Sequence, residues 1–132
     1  YGRARATLGW AYLKRGRTEE GLAELEQGAA LTQHDPMFLG QLGEAYGLTG
    51  NVEKARAVLH QLTEAARQEY VTPYYRAYVH TGLGAYDSAI DCLEQSLAAG
   101  SGGLYGLKAS FLFAPLRGHP RFTALLKRLN LE

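Results

Sequence analysis

A fixed interval of 34 residues between glycines constrains the fold of this chain more than any other feature. Gly16, Gly50 and Gly84 are separated by that interval, and so are Gly9 and Gly43, each of which follows a leucine. Self-similarity at such a period indicates a repeat architecture, in which each unit buries its apolar face against the next one.

The segment from residue 42 to residue 62 shows what one unit contains. Apolar residues recur every three to four positions on both sides of Gly50-Asn51, as on one face of a helix. Gly43 and Ala55 are small residues at the point where two such helices would cross. The pattern therefore predicts a helical hairpin that needs neighbours on either side.

These marks resemble a known family. Leu8-Gly9 with Tyr12, and Leu42-Gly43 with Tyr46, are similar to the L-G-x-x-Y signature of the tetratricopeptide repeat, whose period is about 34 residues. The resemblance covers roughly residues 2–101, although the third unit has Ala77 and His80 in place of the glycine and the tyrosine. It implies an all-α, right-handed α-solenoid of three helix-turn-helix repeats followed by C-terminal capping helices.

We expect the 132 residues to form a single domain. The predicted repeats span about residues 2–35, 36–69 and 70–101, and the predicted C-terminal helices span about 103–131. Tyr1 leads directly into the first helix without a polar cap, so we expect the chain to be a fragment of a longer protein.

Residues that favour helix starts and stops divide the chain further. Thr18 and Asp87 are predicted to cap the second and sixth helices, and Asp35-Pro36 to open the third. Thr72-Pro73 is predicted to open the fifth helix. A short apolar helix is predicted over 104–113, ended by Ala114-Pro115.

The tail resembles a second group of proteins. Pro115-Leu116-Arg117-Gly118-His119-Pro120-Arg121-Phe122 is similar to the C-terminal repeat region of large bacterial signalling and regulatory proteins. In those proteins the repeats follow a kinase, a cyclase or a DNA-binding domain. The resemblance suggests a context for this segment and no activity of its own.

Composition and motifs argue against several classes of function. A net charge of +1 and the absence of a basic run exclude recruitment of nucleic acid by charge, and no apolar stretch approaches the ~18 residues that span a bilayer. The single cysteine suits a reducing cytoplasmic setting. No motif of a nucleophile, a phosphate-binding loop or a metal site occurs, so we expect no enzyme, no cofactor and no metal.

The concave face of the solenoid is the expected binding surface. In the family, the first helix of each repeat lines this concave face. The helical phase of the sequence places a set of aromatic and mostly uncharged residues on it. Tyr70, Tyr74 and Tyr78 lie at positions i, i+4 and i+8 and are predicted to form a stripe. The predicted partner-binding residues are Trp10, Leu13, Lys14, Met37, Gln41, Glu44, Tyr74, Tyr75, Tyr78 and Thr81.

The family's chaperone-binding members suggest one partner class that this sequence does not fit. The positions that match their carboxylate clamp are Ala6, Trp10, Gln41, Val71 and Tyr75, and none of them is a cation. A carboxylate placed there would lose water without gaining a charged partner. An amphipathic helix or an extended apolar peptide suits the surface better.

The leading hypothesis is therefore a non-catalytic protein-interaction module. Its partner would be a peptide, a helix or a neighbouring domain of the same chain. One alternative is a structural module that forms a homodimer through the first helix and Trp10. The other is a segment that regulates an upstream kinase, cyclase or DNA-binding domain.

Overall fold

The computed structural model describes residues 2–99 and 110–129, and their secondary structure is entirely helical. Three helical hairpins follow one another, and a 3-10 helix and a final α-helix complete the described chain. The elements are α1 (Gly2–Lys14), α2 (Thr18–Leu31), α3 (Pro36–Leu48), α4 (Val52–Gln68), α5 (Tyr74–Gly82), α6 (Tyr86–Ala98), the 3-10 helix η1 (Phe111–Leu116) and α7 (Pro120–Arg128).

The 34-residue interval corresponds to one turn geometry repeated three times. Gly16, Gly50 and Gly84 have φ angles of 78°, 84° and 78°, a left-handed conformation that glycine adopts without steric cost. In each turn, the residue after the glycine donates its N–H to the carbonyl five residues earlier, over 2.8 to 2.9 Å. This bond satisfies a carbonyl that the helix end leaves free, so the turn prediction is confirmed.

The same turn determines where the second helix of each hairpin begins, and it corrects two predicted caps. Arg17, Asn51 and Ala85, each next to a turn glycine, are the N-cap residues, with closely similar backbone angles and no capping bond from their side chains. Thr18 is therefore the first residue of α2, and Asp87 lies in the first turn of α6. The repeat geometry overrides the capping preference of individual side chains.

The other helix starts agree more closely with the sequence. Asp35 caps α3 as predicted, because its carboxylate accepts the N–H of Met37 over 2.9 Å and Pro36 occupies the first turn. α5 begins at Tyr74, one residue after Pro73, which is its N-cap. Tyr70 precedes α5 and is not helical, so the predicted three-tyrosine stripe was wrong and only Tyr74 and Tyr78 share the helix.

Small residues allow the helices to approach closely. A Cβ atom on Gly43 would lie 2.6 Å from Cγ2 of Val79 on α5 and 2.8 Å from Cγ1 of Val58 on α4. Its place at a helix crossing is thus confirmed, with contacts to two helices. A Cβ atom on Gly82 would lie 2.7 Å from Cα of Glu44, so the backbones of α3 and α5 are in direct contact.

The C-terminal part differs from its prediction. Residues 104–109 of the predicted apolar helix lie outside the described residues. Ala114-Pro115 does not end a helix there, because Pro115 lies within η1 and hydrogen bonds form on both sides of it. Phe113 and Leu116 of η1 are fully buried. Phe122 and Leu125 of α7 are each about 1% exposed. These side chains join the tail to the common core.

Candidate binding groove

The 3-10 helix η1 packs against α5, the first helix of the third repeat, which the sequence analysis assigned to the concave face. The Phe113 ring stacks on Tyr78, with centroids 5.0 Å apart and planes 19° apart, and meets Tyr74 edge-on at 5.3 Å. Burial in this cluster raises the pKa of both tyrosines. The aromatic rings that the sequence suggested as anchors for a partner are thus covered by the chain's own tail.

A second aromatic contact separates this covered part from an open part. Phe111 meets Trp10 edge-on, with centroids 5.4 Å apart. The indole Nε1 of Trp10 donates a hydrogen bond to Oε1 of Gln41 over 3.1 Å, which ties α1 to α3. Nζ of Lys14 stands over the Phe111 ring at 4.5 Å. Trp10 is nearly buried, whereas Phe111 is 45% exposed.

Two hollows flank the Trp10–Phe111 pair, and together we call them the groove. Both are lined by Trp10, Lys14, Phe111 and Leu112. The first, the Met37 hollow, has a volume of about 380 Å³ and is completed chiefly by α1 and α3, with Arg3, Ala6, Thr7, Ala11, Met37, Phe38 and Gln41. The second, the Glu44 hollow, has a volume of about 430 Å³ and is completed by Leu13, Thr18, Glu44, Leu48, Thr49, Ala114 and Pro115.

Glu44 is the unusual residue of the groove. Only 1% of its surface is exposed, and Oε1 has no hydrogen-bond partner among the described residues. Removal from water raises the pKa of this carboxyl to about 9. The group therefore carries a proton at neutral pH.

The structure brings together six of the ten predicted site residues. Trp10, Leu13, Lys14, Met37, Gln41 and Glu44 all line the groove. The other four are not among the residues that line it. Tyr74 and Tyr78 lie beneath Phe113, and Thr81 is buried, with its hydroxyl donating to the carbonyl of Ala77 over 2.8 Å. Tyr75 is half-buried beside Tyr78.

Sequence reasoning missed the contribution of η1 to the groove. Phe111, Leu112 and Pro115 form one wall, and the prediction treated their segment only as a cap for the stack. The apolar run Phe111-Leu112-Phe113 indicated burial. Periodicity along the chain carries no information about which surface such a segment covers.

Other reactive side chains lie apart from the groove. Burial raises the pKa of the Cys92 thiol and lowers that of His80. Within residues 2–99 and 110–129, no three His, Cys, Asp or Glu side chains are grouped so that they could hold a metal ion. Among the same residues, no helix is long and apolar enough to cross a membrane.

Comparison with known proteins supports the repeat assignment. Residues 2–27 and 36–61 match the family model described as tetratricopeptide repeat. The matches begin at the first residues of α1 and α3 and extend into α2 and α4. No curated protein and no solved structure shows a significant match to the chain.

The resemblance of the tail to bacterial signalling proteins stays a prediction.

Tetratricopeptide repeats generally mediate protein–protein interaction and are generally non-catalytic. Two matched repeats and three hairpins with a common turn show that the fold is an all-α helical solenoid of the tetratricopeptide type.

Proposed function

We propose that this domain is a non-catalytic protein-interaction module that holds a short, largely apolar segment of a partner protein in the groove. The observation that carries the proposal is the pair of hollows on either side of Trp10 and Phe111. Their walls are mainly apolar, and their aromatic rings are held in place by packing and by the Trp10–Gln41 bond. Fixed aromatic side chains are frequent energetic anchors at interfaces because little conformational entropy is lost when they bind.

Because the tail covers part of the first helix of the third repeat, the surface that remains for a partner is short. Phe113 fills the surface over Tyr74 and Tyr78, so a partner segment would contact the first two repeats and η1. The two hollows, of about 380 and 430 Å³, each have room for a few side chains. The ligand we propose is therefore a peptide of a few residues, from another protein or from another domain of the same chain.

Peptide display against the domain, followed by titration of the selected peptides, tests the proposal. Trp10 is the only tryptophan, so its fluorescence reports binding next to both hollows. Leu48, 52% exposed on the rim of the Glu44 hollow, is replaced in the variant Leu48→Glu. We expect this change to weaken the selected peptides at least about tenfold, because it places a charge on the apolar wall.

The matched control is Leu31→Glu. Leu31 is 57% exposed and belongs to a different hollow, formed with Ala4, Arg5 and Leu8. We expect this variant to bind as the wild type does. If Leu31→Glu abolished binding and Leu48→Glu did not, the outer surface of the first repeat would be the interface and the groove proposal would be wrong.

The homodimer alternative receives less support from the geometry. It relied on Trp10 as an exposed contact, and this ring is 8% exposed, lies against Phe111 and is bonded to Gln41. Light scattering over a concentration series tests it directly.

A further inference from the structure

Glu44, whose buried carboxyl group has one oxygen without a hydrogen-bond partner among the described residues, lines the Glu44 hollow. Its Oε1 accepts no hydrogen bond from the described residues, although buried polar atoms in native proteins nearly always have one. The hollow beside it is large enough for a side chain and is bounded by the Trp10 and Phe111 rings. An unsatisfied acceptor next to an open, aromatic-walled cavity points to a donor that the ligand supplies.

The groups that face Glu44 do not supply this donor. Lys14 of α1 also lines the hollow, but its ammonium group stands over the Phe111 ring at 4.5 Å. Tyr78 of α5 is close enough to interact electrostatically with Glu44, yet it forms no hydrogen bond with it. The residues of η1 that line the hollow are Phe111, Leu112, Ala114 and Pro115, and none of them has a charged or titratable side chain.

We propose that the Glu44 hollow is a subsite for a guanidinium or ammonium group, so that the partner segment carries an arginine or lysine among its apolar residues. This inference rests on the proposed function, since it specifies the chemistry of the same groove. A cationic donor satisfies Oε1 with a charge-assisted hydrogen bond, which is stronger than a neutral one. The aromatic rings of Trp10 and Phe111 also line this hollow, and aromatic rings attract cations, as Lys14 over the Phe111 ring illustrates.

Binding of this kind releases a proton. Glu44 is protonated in the free domain at neutral pH, and a bound guanidinium group favours the carboxylate, so the proton passes to solvent. Affinity for a cation should therefore rise with pH, by up to about tenfold per unit below pH 9. A neutral ligand of the same shape should show no such dependence.

The test uses the whole domain and two small probes of similar shape, n-butylguanidinium and n-butylurea, at up to about 20 mM, where weak binding is measurable. Trp10 fluorescence and the NMR signal of the Glu44 side-chain carboxyl carbon are followed from pH 6 to pH 9. We expect n-butylguanidinium to bind at least about tenfold more tightly than n-butylurea at pH 9 and to lower the pKa of Glu44.

Three variants complete the experiment. Glu44→Gln keeps the shape of the side chain, and it should remove both the preference for the cation and the pH dependence. Lys14→Met removes a cation that also lines the hollow and should strengthen n-butylguanidinium binding. Glu53→Gln changes a carboxylate that is 89% exposed on α4 and should have no effect. Circular dichroism confirms that each variant is folded.

Several results would overturn the subsite. They are equal affinity for the two probes, no response of Trp10 and Glu44 to n-butylguanidinium, binding that Glu44→Gln leaves unchanged, or weaker binding in Lys14→Met. The proposed function has a separate outcome, because display-selected peptides are titrated against the same variants. If these peptides bind, lose affinity in Leu48→Glu and keep their affinity in Glu44→Gln, the groove proposal is supported and only the cation subsite is wrong.

Discussion

The ring of Phe113 stacks on the ring of Tyr78 with centroids 5.0 Å apart, so the tail of the chain occupies the concave face of the third repeat. Solenoids of this kind generally use their concave face for binding. Here the tail divides that face into a filled part over α5 and an open part between α1, α3 and η1. The location of the proposed site follows from this division.

Replacing Phe113 should destabilise the domain far more than replacing its neighbour Phe111. Phe113 is fully buried, and deletion of a buried aromatic side chain costs about 3–5 kcal/mol through lost burial and a residual cavity. Phe111 is 45% exposed, so Phe111→Ala should cost about 1 kcal/mol. Chemical denaturation measures both values.

The fluorescence of Trp10 separates the two variants further. Phe111 covers this indole, so Phe111→Ala should shift the emission to longer wavelength while the fold persists. Similar stability losses in the two variants would contradict the view that Phe113 anchors η1.

The close approach of α3 and α5 depends on Gly82. A methyl group there would lie 2.7 Å from Cα of Glu44, and a backbone contact cannot be relieved by a rotamer change. We expect Gly82→Ala to cost about 1–3 kcal/mol. At Gly43, the atoms nearest to an added methyl group are side-chain methyl groups of Val79 and Val58. The higher helix propensity of alanine also offsets up to about 1 kcal/mol of the cost of this substitution.

Gly43→Ala is therefore the comparison variant. Its loss of stability should be the smaller of the two in thermal or chemical denaturation. A larger loss for Gly43→Ala would contradict the view that the backbone contact at Gly82 tolerates an added methyl group less well than the side-chain contacts at Gly43.

Repetition explains how much of this fold the sequence could predict. The interval between the turn glycines predicted the hairpins, because each turn requires a left-handed residue at the same place. The predicted caps Thr18 and Asp87 were wrong because the backbone after each glycine, and not a side chain, starts the next helix.

The candidate site was only partly predictable, for a different reason. Trp10, Met37 and Glu44, which helical phase assigned to the binding surface, line the two hollows of the groove. Helical phase also placed Tyr74 and Tyr78 there, and these are covered by a segment more than thirty residues later in the chain. Contacts between segments so far apart leave no trace in local periodicity.

An ion-pair cluster joins α7 to α6 through Arg121. Its guanidinium group bonds Asp91 over 2.6 Å and Glu94 over 2.9 Å, and it lies 3.5 Å from Asp87. The hydrogen bond that Arg121 donates to Asp91, followed by the one that it donates to Glu94, raises the pKa of Arg121. Because the cluster faces solvent, salt screens it.

We expect Arg121→Gln to lower the melting temperature at low salt and to have little effect in about 1 M NaCl, where screening is strong. Arg56→Gln is the control, because Arg56 forms an exposed pair with Glu53 over 3.4 Å. A melting temperature of Arg121→Gln that stays equally low at both salt concentrations would show that the side chain acts by packing.

The buried carboxyl of Glu44 should make the domain less stable as the pH rises. The unperturbed pKa of the group is 4.5, and burial raises it to about 9 in the folded state. Between these values the folded chain holds one more proton than the unfolded chain, so each added pH unit favours unfolding by about 1.4 kcal/mol. From pH 7 to pH 8.5 the expected loss is about 2 kcal/mol.

Glu44→Gln isolates this contribution, since glutamine does not titrate and every other group is shared with the wild type. The window lies above the range in which His80, whose pKa is lowered, changes its charge, and the raised pKa of Cys92 affects the wild type and the variant equally. Denaturation curves at intervals from pH 7 to pH 8.5 should show a declining free energy of unfolding for the wild type and a nearly constant one for the variant. Parallel curves would mean that Glu44 is ionised in the folded domain, because a carboxyl that has already lost its proton cannot link folding to pH in this range.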